Sequence, residues 1–473
     1  MRRKINVWTN IDWFTVILYV ALVFIGWLTI YSALYNEEHQ SIFDFSQRYG
    51  KQLLWISAAF LIAILIMVID SNFFSFFAYG FYVILIILLI AVLFFGEETH
   101  GTKAWLRIGS VRFQPAEFAK IATALTIAKY LSGFNIKLNE LKTYFRVTGL
   151  ILLPLVLIFI QDAGTALVFV TFILPLYREG LSSAVLLLGV YFIILFVLSF
   201  LIDKLILALG AIFLAHLVFL FIQRNLKMTL TSLFIFIGIA AIFLGINEFT
   251  ALNIKYLYVI LGGFLLSSLF YLVLAYYYKI SKVPLYLLFV IASIGFTYSI
   301  DFIFDNFLQP HQQRRIVQII GLEESPQGAG YNVNQSVIAI GSGGFSGKGY
   351  LKGTQTKFDF VPEQSTDFIF STIGEEFGFV GSFILIVLFV TLLLRLLFLA
   401  ERQRSYFSRI YGYGVISVLL FHFTVNIGMA IGLVPVIGIP LPFISYGGSS
   451  LWAFTMMLFI FIRLDVSRLK VLR

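Results

Sequence analysis

Apolar runs of about 17–25 residues, the length an α-helix needs to cross a hydrocarbon core of roughly 30 Å, recur from residue 12 to the C-terminal tail. No other feature restricts the fold as strongly. A chain with this pattern must satisfy its backbone inside each span, so it reads as an all-α polytopic membrane bundle. Composition agrees, with 60% hydrophobic and 12% charged residues, far from the roughly 25% charged of a soluble domain. About fourteen spans are expected, starting near residues 12, 52, 73, 114, 146, 163, 182, 204, 229, 255, 283, 366, 408 and 449. The first follows the basic stretch at residues 2–4 and has the length of a retained span rather than a signal peptide. With no cysteine in 473 residues, disulfides, thiolate catalysis and Cys-ligated metals are excluded.

Placing the N-terminus in the cytoplasm puts Lys137, Lys142 and Arg146, then Arg224 and Lys227, then Lys279 and Lys282, then Arg402, Arg404 and Arg409, and the tail from Arg463, on the inner side. This is the positive-inside pattern, and it accounts for the net charge of +9 without a nucleic-acid partner. Both termini are then cytoplasmic. The outer side receives the segment from Gly96 to Phe113 and a long loop at about 308–366. Residues 182–282 are apolar, poor in charge and lack the Gly-Pro punctuation found elsewhere, so they read as extra spans packed toward lipid. The expected division is a core at 1–181, the extra spans at 182–282, and a second core part at 283–473.

Charges retained within or beside a span cost about 2.5–3.5 kcal/mol each on insertion scales, so each needs a partner or a task. Glu117 and Lys120 share one helical face. They form either a packing ion pair or a lysine held toward a phosphate. Asp162, ahead of Ala-Gly-Thr, is placed either to cap the next helix or to serve a site. The large outer loop carries Arg314, Arg315, Lys348 and Lys352 against the charge bias, which points to an anionic ligand such as a pyrophosphate. Its glycine clusters alternate with Tyr331, Phe345, Phe358 and Phe360, as in a compact lid. No strand precedes its Gly-rich run, so a nucleotide fingerprint is not the reading.

The segments Gly101–Lys120, Gln161–Ala166, Gly328–Gly344, Gly347–Gln355, Pro362–Phe370 and Gly374–Gly378, with Asn426–Met429 and Gly438–Ser449, together resemble the ordered motifs of the SEDS family, on its RodA branch. The resemblance implies a peptidoglycan glycosyltransferase that polymerises lipid II at the outer face of the bacterial cytoplasmic membrane during elongation. It also implies a class B penicillin-binding protein and other elongation-complex membrane proteins as partners. Two departures stand out: Ser325 occupies the place before Pro326 where the family carries an essential Asp, and Ser365 the place of a usual His. The neighbouring Glu324, or Glu323, is the candidate replacement base. Arg314, Arg315, Lys120 and Lys348 are the phosphate-binding candidates, Glu117, Asp162 and Asp367 line the expected site, and Trp105 packs on a sugar or anchors the interface. No cofactor follows from the residues, and the chemistry leaves room for a divalent cation. A lipid II flippase and a catalytically weak scaffold remain alternative readings at this point.

Overall fold

The structure is a computed structural model that describes residues 7–35, 41–99, 102–109, 111–138, 140–223, 226–250, 254–277, 283–306, 313, 329–357, 360–434 and 436–468. Among these, twelve helices are long and apolar enough to cross a membrane. Two of the fourteen expected spans fall short of that measure for visible reasons. The helix Pro115–Leu131 is 17 residues long and carries Glu117, Lys120 and Lys129. The stretch 163–178 is a short helix, a 3-10 turn and a second short helix.

The chain forms two compact units, residues 1–183 with 324–473, and residues 184–323. The first unit begins with α1 (Trp13–Ala33), α2 (Arg48–Val68) and α3 (Ser71–Phe95). Asp12 and Asp70 cap α1 and α3 by accepting from the backbone N–H groups of Thr15 and Asn72. The segment read as an outer loop instead folds into an antiparallel ribbon of β1 (Glu97–Thr99), β2 (Thr102–Ile108) and β3 (Val111–Phe113). Two or three residues of turn between short strands suffice for that, and a loop composition conceals it. Pro115 then starts α4 (Pro115–Leu131), where a missing N–H is harmless. After α5 (Leu141–Phe159) come α6 (Ala163–Leu167) and α7 (Ile173–Arg178).

The second unit contains α8 (Ser183–Leu201), α9 (Lys204–Gln223), α10 (Leu226–Thr250), α11 (Tyr256–Tyr277) and α12 (Val283–Asn306), one helix more than residues 182–282 supply. Its core includes Ile212, Phe219, Phe236, Phe264, Tyr271 and Val290. Lys204 pairs with Asp301 inside this unit.

The first unit resumes with α13 (Ala329–Ser342), α14 (Thr354–Lys357), α15 (Ile369–Glu401), α16 (Tyr406–Ala430) and α17 (Gly448–Ser467). α17 is the hub: 83% of its most apolar window is buried, against 11% for α8. It packs on α2, α4 and α16. α15 breaks at Gly378, whose φ of +61° is open to glycine at little cost. The broken helix is repaired by the loop before it, because Phe379 N–H donates to Gly344 O at 2.9 Å and Val380 N–H to Phe345 O at 3.1 Å. Between α16 and α17 the chain is non-helical and turns at 442–444, yet Ile439, Leu441, Ile444 and Ser445 are all buried. That is non-helical backbone sheltered by protein, the only setting in which a membrane interior tolerates it.

Candidate active site

Every motif segment of the first unit reaches one end of its helices, here termed the mouth, or the buried layer beneath it. In that layer Glu117 and Lys120 are 1% and 0% exposed and their side chains meet at 2.9 Å. Lys120 Nζ also lies 3.0 Å from His422 Nε2 on α16 and faces the Phe454 ring of α17 at 4.8 Å. The His422 tautomer follows from geometry. Pro440 O can only accept, so the 3.0 Å contact from Nδ1 carries the ring proton, and Nε2 is the lone pair that accepts from Lys120. A buried ammonium thus has an anion, a lone pair and a ring face around it, which compensates its desolvation.

Above this layer, Asp162 caps α6, accepting from Thr165 N–H at 3.2 Å and Thr165 Oγ1 at 2.6 Å, and Gln114 Nε2 approaches it at 3.4 Å. The 436–446 segment passes beside it so closely that a side chain on Gly164 would strike Ile437 O. Asp367 also stands by this segment, 3.4 Å from where a Gly438 side chain would begin.

The turn 363–368 that carries Asp367 is pinned from four directions. Tyr446 N–H donates to Ser365 O at 2.8 Å, Ser445 Oγ to Thr366 O at 2.6 Å, and Asn426 Nδ2 to Asp367 O at 2.8 Å. Gln364 reaches Ala33 O at 2.7 Å, and Arg48 donates to Ser365 Oγ at 3.2 Å. The Asp367 carboxylate itself is half-buried and has no hydrogen bond or ion pair among the described residues. Burial, with the negative charges of Glu363 and Asp162 added, pushes it up from 3.8 to about 7.

A second carboxylate performs the opposite task. Glu375 Oε1 accepts from Lys348 Nζ at 2.7 Å and from the N–H groups of Thr354 and Gln355 at 2.7 and 2.8 Å. Its Oε2 takes Thr356 N–H and Oγ1 at 2.9 and 2.8 Å. Glu375 therefore caps α14 and ties residues 348–356 to α15, and Lys348 is engaged there.

Of the sequence candidates, Glu117 with Lys120 and Asp162 with Asp367 are brought together in these two layers. Trp105 sits half-buried on β2, opposite Glu97 in the ribbon, where Arg107 and Arg112 flank that glutamate at 3.3 and 3.6 Å. Glu323, Glu324, Ser325, Arg314 and Arg315 lie outside the described residues. His422 and Arg48 were not singled out from the sequence, and Asn426 and Glu375 stood there only inside motif segments without a role, although a histidine and an asparagine inside an apolar span are themselves a signal. Among the described residues no three His, Asp or Glu side chains converge as a metal site.

The sequence matches the cell cycle protein family of FtsW, RodA and SpoVE over residues 12–235 and 257–470. It is 32% identical to the peptidoglycan glycosyltransferase RodA of Treponema pallidum (strain Nichols), covering 94% of this chain and 95% of that protein. With the peptidoglycan glycosyltransferase MrdB of Escherichia coli (strain K12) it shares 30% identity over 90% of this chain and 86% of the relative. The fold is similar to a chain of a peptidoglycan synthase complex, with a TM-score of 0.64 at 23% identity, covering 98% of this chain and 99% of that one. It is also similar to the rod shape determining protein RodA of Thermus thermophilus, with a TM-score of 0.56 at 22% identity and the same two coverages.

Proposed function

This chain belongs to the FtsW, RodA and SpoVE cell cycle protein family, the SEDS proteins, and on that premise we propose that its mouth is where glycan strands grow. The chain is a RodA-like peptidoglycan glycosyltransferase, a multi-pass membrane enzyme. Its substrate is lipid II, and the 4-hydroxyl of one sugar attacks the anomeric carbon of the lipid-linked partner. A base near that hydroxyl and positive charge near the departing pyrophosphate are the two requirements. The observation that carries the reading is the convergence of the motif segments on one mouth, where a carboxylate without a cation stands on a turn held from four sides.

The mouth faces away from the cytoplasm in this reading, with both termini inside the cytoplasmic membrane's inner face; the basic loops support it. A class B penicillin-binding protein is the partner the family resemblance implies, and Arg48, half-exposed beside Ser365, is a pyrophosphate contact. Two measurements test this. Cysteines placed at Ser342 and Ser405 of the cysteine-free chain label from opposite sides of the membrane, Ser342 from outside. Purified protein with its penicillin-binding partner makes glycan strands from lipid II on gels. A wild type that makes none is a scaffold, and transfer of lipid II between leaflets without polymer makes it a flippase.

A further inference from the structure

We infer that Asp367 is the catalytic base of this enzyme, taking the proton from the attacking sugar hydroxyl. This rests on the polymerase reading and deepens it. The other carboxylates near the mouth are each already engaged. Glu97 faces Arg107 and Arg112, Glu117 holds Lys120, and Asp162 is occupied as a cap by Thr165 and Gln114. Glu375 accepts from Lys348 and three backbone N–H groups, and Glu376 accepts from Ser32 Oγ and from Leu351 N–H at 3.0 Å. Glu363 accepts from Thr366 Oγ1 at 3.1 Å and lies 4.0 Å from Arg48. Asp367 alone among them has no donor or cation among the described residues.

Nothing about its place is loose. Asn426 fixes its backbone carbonyl, Ser445 the carbonyl before it, and Gly438 lies within van der Waals reach of the carboxylate. Beside it, the buried Asn426 Oδ1 has no partner among the described residues, an acceptor placed where a ligand hydroxyl can donate. A rigid carboxylate with a vacant lone pair at the mouth is what a hydroxyl must meet before it becomes a nucleophile. In the step, the O–H bond breaks and its proton goes to Asp367. The new C–O bond forms at the anomeric carbon as the bond to the pyrophosphate oxygen breaks, and the electron pair leaves with undecaprenyl pyrophosphate. Asp367 then returns the proton to solvent.

The test uses full-length protein with its penicillin-binding partner and lipid II, in wild type, Asp367→Asn and Glu324→Gln forms. Asp367→Asn is expected to lower the rate of glycan synthesis at least about a hundredfold, the lower range for a general base. It should leave lipid II binding in place and the melting temperature in detergent equal to or above that of wild type, since it removes a desolvated carboxylate facing two others. Glu324→Gln, at the rival base candidate of the outer loop, should lose less activity than Asp367→Asn. A merely structural Asp367 predicts the reverse, activity lost only in step with melting temperature, and that result overturns the assignment. So does an Asp367→Asn variant within threefold of wild type, or loss of chemistry in Glu324→Gln alone. A wild type inactive with its partner sinks the polymerase reading itself, and the assignment with it.

Discussion

Among the described residues, the two ends of the first unit differ in whether a buried or half-buried carboxylate is left without a donor or cation. Away from the mouth, carboxylates meet arginines. Glu179 is gripped by both arms of Arg409 at 2.9 and 2.8 Å, Glu401 by Arg178 at 3.1 and 2.9 Å, and Asp12 by Arg395. Asp465, with no exposed surface, receives Arg402 Nε at 3.0 Å, Gln403 at 2.7 Å and Arg468 at 2.8 Å. At the mouth, Asp367 is left facing other carboxylates. Paired charge fastens helices, and unpaired charge held rigid stores chemical potential for a ligand.

Substitutions can break or sharpen that contrast. The largest effect is expected in the layer below the mouth. Lys120→Gln alone leaves Glu117 buried without a counter-charge and should lower stability by about 3–5 kcal/mol in a detergent melt. Glu117→Gln with Lys120→Gln should recover most of that stability but not glycan synthesis. In that double variant His422 Nε2 loses its ammonium partner, and the Pro440 contact that aligns the 436–446 segment beside Asp367 is disturbed. Full activity in the double variant assigns the pair to packing alone.

Next is the end away from the mouth. Asp465→Asn leaves Arg402 and Arg468, which keep some solvent, without their anion and should lower stability by about 3 kcal/mol. Glycan synthesis per folded molecule should stay at the wild-type value, and a specific loss of rate breaks the division of labour between the ends.

The pH response should separate the ends as well. A base raised to about 7 is active only when ionised, so the rate should fall about tenfold per unit below pH 7 and level off above it. The charged groups facing Asp367, Glu363 of its own turn and Asp162 of α6, are both negative. Stability has the opposite sign: between 3.8 and about 7 the folded protein binds the proton more tightly than the unfolded chain, so this group's contribution falls as pH rises. Asp367→Asn should abolish that slope, which a melt series in pH detects. The smallest effect is expected for Arg48→Ala. The pair with Glu363 spans 4.0 Å between half-exposed groups and is worth less than about 1 kcal/mol, whereas the KM for lipid II should rise severalfold.

The bundle was legible in the sequence because hydrocarbon leaves the backbone few choices. Helices begin at Trp13, Arg48, Ser71, Pro115 and Ala163, within a few residues of the positions the apolar runs indicate. The Asp162 cap was equally plain, being a contact over three residues. The Glu117–Lys120 pair was legible too, but the distant contacts of Lys120 and of the Asp367 backbone were not. His422 lies 302 residues from Lys120, and Asn426 lies 59 from Asp367, separations over which periodicity carries no information. The ribbon at 97–113 was missed because two of its strands have three residues and the seven-residue one, Thr102–Ile108, places Ala104, Trp105 and Leu106 in a row rather than alternating.

The break at Gly378 also bears on the order of synthesis. The backbone groups it frees within a span are satisfied by Gly344 and Phe345, about 35 residues earlier in the chain. That segment therefore leaves the ribosome before the half-helix that depends on it. A nascent α15 meets its partner already outside the exit tunnel, and no interval of elongation obliges bare amides to enter lipid unaccompanied. Had the stitch been made by residues downstream, each molecule would have had to wait for them.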